Sequence, residues 1–477
     1  MKSLRPIGSA AALICLCSCA VGPNYHQPDV APLTPTEWHW KAGEPHDAVP
    51  KGDWWAVFHD PVLDGLELLA TTNNQNLITV LARVDQARAA ARVTRSQFFP
   101  ELSFDPAAKR ERTSGHLPTP VPFHVPSAYL NTFSLPLDLS YEIDLWGRVR
   151  RSFEAARAQA QASLADSENT LLTLTADVAV DYFLLRSLEA DLAALRRTVA
   201  LRQESLTLLQ ARFAAGAIPE LDLARAKTEL AVVRTDLAES TRQQAETLHA
   251  LALLCGRPAS SFVVPEAPFA AVPPTVPAGL PSSVLERRPD IASAERNLAA
   301  KNARIGVARS AYFPALRLTG QAGYLSAEAD DIFAWDSRVW SIGPSVSLPL
   351  FNAGRTHAEV QQAQAAYQEA LADYRQAVLT AFKEVEDSLA QVALRREQAA
   401  ALEEALLATR RVAELAKARY EAGATTYLEV VDAERDELQQ ERQSALLQGQ
   451  RFAAAVHLIK ALGGGWPDAQ GLAARQD

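Results

Sequence analysis

Beyond its first eighteen residues the chain has no run of about twenty apolar residues, so no helix of the mature protein is expected to cross a bilayer. Any crossing would fall to β-strands. Cysteine is scarce: Cys15, Cys17, Cys19 and Cys255 are the four, and three of them sit in the first nineteen positions. Positive charge is in deficit, with 47 Lys+Arg against 56 Asp+Glu and a net charge of −9. Without Lys2 and Arg5 the remaining 45 bases leave −11, which argues against a nucleic-acid partner. Catalytic signatures are missing too. The nine histidines are scattered, there is no HExxH or CxxC, and no glycine-rich loop follows a strand. The expectation is no enzyme, no metal site and no bound cofactor.

What is present begins at the N-terminus. Lys2 and Arg5 precede a short, mostly apolar stretch, Ile7 to Leu16, which ends in small residues and reads as a signal peptide over 1–18. In Leu16-Cys17-Ser18-Cys19 a leucine lies three positions before a cysteine and a small residue directly before it. This resembles the bacterial lipobox and implies cleavage before Cys19 and acylation of the new N-terminus. Lipid on Cys19 would anchor the chain without spanning the membrane. Ala20 replaces the aspartate that retains lipoproteins in the inner membrane. With Cys19 acylated, Cys255 has no intramolecular partner. Plain secretion with a chance cysteine is the competing reading.

Internal repetition organises the rest. Leu145-Trp146-Gly147-Arg148 returns as Asn352-Ala353-Gly354-Arg355 at an offset of 207, Ala211–Ala217 returns as Ala418–Ala424, and Gly256 aligns with Gly463. Ser96 to Pro100 matches Ser310 to Pro314 at 214, so the first half carries a longer insertion. These landmarks predict an N-terminal anchored segment (19–60), a first repeat (61–256), a proline-rich linker (257–281), a second repeat (282–463) and a tail (464–477).

Between Arg148 and Ala215 there is neither glycine nor proline, and Leu164, Leu171, Leu174, Val178, Leu185, Leu188, Leu192 and Leu195 recur at spacings of three and four. One helix of that length reaches roughly 100 Å at 1.5 Å per residue. Gly216 stops it and Pro219 opens a second helix to Cys255. Arg355 to Ala422 and Thr425 to Leu462 repeat the pattern. Two coiled-coil hairpins are expected, turning at Gly216 and Gly423.

Ahead of each long helix the period switches to two. Phe133, Leu135, Leu137, Leu139, Tyr141 and Ile143 alternate with small or polar residues, as do Trp340, Ile342, Val346, Leu348 and Leu350. Shorter partners lie at Leu102 and Phe104, and at Leu316, Leu318, Ala322 and Tyr324. The expectation is four strands in two hairpins, at about 101–143 and about 315–351, around the proline-rich loop His116 to Ser127 and the acidic loop Ala327 to Asp336. A half-buried sheet in a soluble α+β domain is the bland alternative, and a lipid-anchored coiled-coil scaffold is another. A scaffold has no use for amphipathic strands. In lipid a sheet must close, and four strands are too few for a barrel, so several chains would share one.

The chain resembles the outer membrane factors of tripartite efflux and secretion systems (TolC-type channels), and more narrowly the lipoprotein branch serving resistance-nodulation-division pumps. The likeness covers essentially the whole mature sequence. Its landmarks are Cys19 to Tyr25, Trp54-Trp55 with Phe58 and Asp60, Tyr141 to Arg148, Leu285 to Ile291, Phe313-Pro314, Pro349 to Arg355, and Ala461 to Trp466. The resemblance implies a mainly α fold with a membrane β-barrel contribution, in a homotrimer whose twelve-stranded barrel sits in outer membrane lipid and continues as a periplasmic α-helical barrel. It implies an exit duct for small toxic compounds, working with a periplasmic adaptor protein at the tips Gly216 and Gly423 and an inner-membrane resistance-nodulation-division transporter. A channel of a type I protein-secretion system is the alternative.

Three local expectations complete this reading. Arg287-Arg288-Pro289-Asp290 reads as a helix start, with Asp290 favourable at the N-terminus. Trp54 and Trp55 read as packing residues of the N-terminal segment and not as a membrane belt. The resemblance places a periplasmic constriction at Leu428 and Asp432, which share a helix face at i, i+4. The repeat offset maps Asp432 onto Arg225, so a contact between them is conceivable. A solvated coiled-coil surface is the alternative for Asp432.

Overall fold

The computed structural model describes residues 20–36, 52–114, 127–265, 269, 272–276, 284 and 287–464. The signal 1–18, Cys19, the first hairpin's loop apart from Ser127, Leu285, part of the linker and Trp466 lie outside the described residues.

Helices run over α1 (Pro61–Asn73), α2 (Gln75–Ser96), α3 (Arg148–Ala214), α4 (Glu220–Leu254), α5 (Pro289–Ser310), α6 (Arg355–Glu421) and α7 (Tyr427–Ala461). The repeat is visible in their lengths: α2 and α5 have 22 residues each, α3 and α6 have 67, and α4 and α7 have 35. It is visible again in the backbone, where Gly147 and Gly354 (φ 83° and 84°) and Gly216 and Gly423 (φ 70° and 72°) adopt the same left-handed turn. At Gly216 the following amide closes back onto the helix, Ala217 N to Arg212 O at 2.9 Å, and Ala424 N reaches Arg419 O at 2.8 Å in the second copy. A residue with a Cβ adopts this C-terminal cap only with strain.

Five strand segments form one antiparallel sheet: β1 (Glu101–Phe104), β2 (Ala107–Arg112), β3 (Tyr129–Ile143), β4 (Ala315–Ser326) and β5 (Arg338–Ser347). Both β1 and β2 pair with β3, so they are one strand position split at Asp105-Pro106. Proline has no N–H for the ladder, and the break falls there. The stretch Ala107–Arg112 has no apolar alternation, which is why the sequence pattern did not disclose it. The two hairpins are joined by pairing of β3 with β4. β5 ends at Ser347, short of the expected 351, two residues before Pro349.

The compact units do not follow the two sequence halves. One unit takes residues 1–28, 84–163 and 294–374 and holds the whole sheet; the other takes 29–83, 164–293 and 375–477 and is helical where described. Each unit draws on both repeats. In the helical unit Trp54, Phe58, Leu63, Tyr182, Phe183, Leu251 and Phe452 share one core. Trp54 is 1% exposed, and its indole N–H donates to Thr175 Oγ1 at 3.1 Å. Asp60 caps α1, accepting from the amides of Val62 (2.9 Å) and Leu63 (3.3 Å), and also accepts the Tyr182 hydroxyl.

Candidate functional site

Register sorts the sheet into two chemically distinct faces. Leu137 pairs with Phe104 and with Ala322, which pairs with Trp340; Leu139 pairs with Leu102 and with Gly320, which pairs with Ile342. Tyr141, Leu318, Ile143, Leu316 and Val346 continue the same face. The opposite face places Asp138 beside Ser103 and Gln321, Ser140 beside Glu101 and Thr319, and Glu142 beside Arg317. Within the chain the apolar face is largely uncovered: Leu102, Phe104, Leu137, Trp340, Ile342 and Val346 are all exposed. The outer edges of β1/β2 and β5 have no strand partner among the described residues. An apolar face with two open edges is the pattern of a sheet completed by lipid and by further strands.

In the same unit a strap of residues 20–28 lies against the turn between β3 and α3. Val21 N donates to Trp146 O at 2.9 Å, Asn302 Nδ2 to Pro23 O at 3.1 Å, Arg151 Nη2 to Asn24 Oδ1 at 2.6 Å and Tyr25 OH to Glu295 Oε1 at 3.1 Å. Ala20 packs on Gly147, where a Cβ would come within 2.9 Å of it. The residue next to Cys19 is therefore held four positions past the end of β3. Burial and the Glu295 charge push the Tyr25 hydroxyl well above its ordinary pKa, so it stays a donor.

In the helical unit the first turns of α7 are divided between two packing surfaces. Tyr427 and Val431 join Leu206, Leu209, Leu223 and Leu230 of α3 and α4, while Val430 and Ala433 meet Ala413 and Ala416 of α6. Leu428 and Asp432 are left on the uncovered face, together as their i, i+4 spacing requires. Their ion pairs differ from the contact that the repeat offset made conceivable. Asp432 pairs with Arg435 (3.6 Å) and Arg225 with Asp222 (3.8 Å).

The link between the hairpins falls to other residues. Arg435 of α7 donates to Glu229 of α4, and Glu229, 8% exposed, is also held by Arg202 of α3 at 3.1 Å. A second rung joins the same helices: Asp191 accepts from Arg442 Nε at 2.8 Å and from Ser240 Oγ at 2.6 Å, and Arg442 reaches Asp236 at 3.1 Å. Arg202, Glu229, Asp191 and Arg442 carry no local sequence signal, because their partners lie far off in the chain and helical charge pairs on a surface look the same. Arg288 turns out to be a buried pin, bonding Asp290, Glu384 and the carbonyl of Ala461. Asp290 lies in the first turn of α5.

Comparison with known proteins agrees with this geometry. The family described as outer membrane efflux protein matches residues 68–257 and 280–464. The toluene efflux pump outer membrane protein TtgI of Pseudomonas putida is 33% identical over 96% of this chain and 98% of its own length. The pyoverdine export outer membrane protein OpmQ of Pseudomonas aeruginosa is 35% identical over 99% of each chain. The solved structure of the outer-membrane channel OprN superposes with a TM-score of 0.86 at 31% identity, over 94% of this chain and 100% of that one.

Proposed function

The chain belongs to the outer membrane efflux protein family, and we propose that three copies close their sheets into one twelve-stranded barrel that serves as the exit duct of a tripartite efflux system. The observation that carries this is the sheet of four strand positions, open at both edges and apolar on one uncovered face. Membrane barrels need about eight strands or more, so one chain cannot close alone. The number three follows the family resemblance. The polar face, with Asp138, Gln321, Glu142 and Arg317, then lines the water-filled side. The long helices α3, α4, α6 and α7 form the periplasmic tube, with Gly216 and Gly423 at tips that meet an adaptor protein and, through it, an inner-membrane resistance-nodulation-division pump.

One relative is named for toluene efflux and another for pyoverdine export, which favours small-molecule cargo over secreted protein for this chain as well. Leu428 and Asp432, uncovered on α7, form an apolar and an acidic ring at the inner mouth. Cys19 carries lipid, and the strap that follows it delivers that lipid to the membrane beside the β3–α3 turn. Purified protein tests the whole reading. Its mass in detergent should be that of a trimer, and it should conduct in planar bilayers; a conducting monomer would overturn it. Intact-mass analysis should find acyl chains on Cys19 that Cys19→Ala lacks.

A further inference from the structure

We propose that the lipid-facing side of the sheet ends in a binding surface for phosphorylated headgroups of the outer leaflet, the phosphates of lipid A, built from Arg110, Arg112 and Arg338 among exposed aromatic side chains. The proposal rests on the reading of that face as membrane-facing. It concerns the end of the sheet opposite the strap.

Register puts these arginines on the apolar face and not on the polar one. Arg110 pairs with Asn131 and Arg112 with Tyr129, in step with Ala108 and Phe133. Residues 129, 131 and 133 of β3 alternate in phase with Leu135, Leu137 and Leu139. Arg338 pairs with Tyr324, and Tyr324 with Leu135. The intervening positions Lys109 and Glu111 point to the other face, where they pair with each other at 2.5 Å. An apolar face that turns basic at one end is unusual in a strand, because a cation among lipid tails is costly.

Depth explains the change. From Ile143 to Phe133 the apolar positions span ten residues, roughly 33 Å along the strand at about 3.3 Å per residue. With a tilt of about 40° that is about 25 Å of depth, the height of the apolar band of an outer-membrane barrel. The strap bonds to Trp146, three residues past Ile143, and on the reading proposed above that end lies at the periplasmic interface. The next outward row, Asn131 and Arg110, therefore reaches the headgroups of the outer leaflet, while Arg338 starts further in, level with Leu135, and its long side chain reaches back towards that level at Trp335.

The aromatic residues fit the same level. Trp335 is 78% exposed, and Tyr129 and Phe333 are exposed as well. Tyr129 lies under both guanidinium groups, Arg110 at 5.4 Å and Arg112 at 5.6 Å from its ring centroid. Arg338 stacks over Trp335 and donates from Nε to its carbonyl at 3.1 Å. Interfacial Trp and Tyr with arginines over their rings make a surface suited to bidentate phosphate binding. Bulk charge is not the cause, because the neighbouring β4–β5 loop carries Glu328, Asp330, Asp331 and Asp336. Placement on the outward face is what selects a lipid phosphate.

The test uses full-length assembled channel in mild detergent, with lipid retention read by native mass spectrometry for bis-phosphorylated lipid A, dephosphorylated lipid A and phosphatidylethanolamine. Wild-type channel should retain the phosphorylated form preferentially. Arg110→Gln/Arg112→Gln/Arg338→Gln should lose that preference by roughly tenfold, as expected when two or three charge-assisted phosphate hydrogen bonds go. Lys109→Gln, on the other face, should keep it. Bilayer conductance of each protein reports the channel separately. If the triple variant fails to assemble, Arg112→Gln and Arg338→Gln alone carry the comparison, each with a partial loss. A conducting wild-type channel with no preference for the phosphorylated form, or conducting variants that retain it as wild type does, would overturn the rim proposal and leave the channel standing. A wild-type protein that neither assembles nor conducts would overturn both.

Discussion

Gly22 and Gly306 meet backbone to backbone: a Cβ on Gly22 would lie 2.5 Å from Gly306 Cα, and one on Gly306 would lie 2.9 Å from Val21 O. Gly22 also has φ 106°, where a side chain is strained. The strap can lie this close to α5 only because neither residue has a side chain. Gly306→Ala should therefore lift the strap, at a cost of about 1–3 kcal/mol for overpacking. Limited proteolysis should cut residues 20–28 faster in the variant, with assembly otherwise unchanged. Equal cutting rates would show that the hydrogen bonds alone hold the strap.

Glu67 on α1 is fully buried, and among the described residues neither carboxylate oxygen has a hydrogen-bond partner. Burial, with the Asp64 charge nearby, pushes its pKa from 4.5 up to about 9. The folded protein thus holds a proton that the unfolded chain releases above about pH 4.5. Its contribution to stability is fully present below that value and is lost as pH rises towards 9, by up to about 1.4 kcal/mol per pH unit. Glu67→Gln removes the proton from the balance. Melting temperatures measured from pH 5 to 9 should fall more steeply for wild type than for the variant; parallel profiles would refute the assignment.

The legible part of this molecule was the part written in local periodicity. The glycine-free, proline-free run after Arg148 and the heptad leucines correspond to α3, and the alternation from Phe133 to Ile143 corresponds to the face of β3. β2 was hidden because Ala107–Arg112 has polar residues on both faces and so shows no apolar alternation. The offset of 207 carries topology and backbone turns, such as Gly216 and Gly423, but not side-chain contacts. Asp432 and Arg225 occupy equivalent places in two copies, yet each has a nearer partner on its own helix. The strap's partners, Arg151, Glu295 and Asn302, come from remote stretches of chain, and nothing local in the sequence announces them.

Leu137 tests the membrane face directly. It sits between Phe104 and Ala322 in the apolar row and is exposed in the single chain. Leu137→Arg should cost about 2–4 kcal/mol if the site lies near the bilayer midplane. Asp138→Asn, the next residue on the polar face, should leave assembly unchanged and alter ion selectivity instead. The check is the fraction of the protein recovered from membranes as the proposed trimer. Equal trimer yield for Leu137→Arg would remove that face from the lipid.

Arg435 and Arg442 make opposite predictions from similar positions on α7. Asp191 is 1% exposed and relies on Arg442 and Ser240 for its partners. Arg442→Ala strands a buried carboxylate, which should cost about 3–5 kcal/mol and lower the melting temperature. Glu229, by contrast, keeps Arg202 at 3.1 Å when Arg435 is removed, so Arg435→Ala leaves no buried charge unpaired. It cuts the tie between α7 and α4 nearest the hairpin turn, leaving the Arg442 rung in place, and frees Asp432, while its own side chain is half exposed. An exposed ion pair of this kind is worth about 0–1 kcal/mol, so the melting temperature should barely move. The face carrying Leu428 and Asp432 should then be released, and single-channel conductance should rise, as it should for Leu428→Ala and Asp432→Ala, which truncate the proposed constriction itself. Asp432→Ala should in addition weaken cation preference, because it deletes the proposed acidic ring. If Arg435→Ala leaves conductance at the wild-type value while the two ring variants raise it, the ring is the constriction but Arg435 is not its latch. If none of the three changes conductance in intact trimers, the constriction lies elsewhere in the tube.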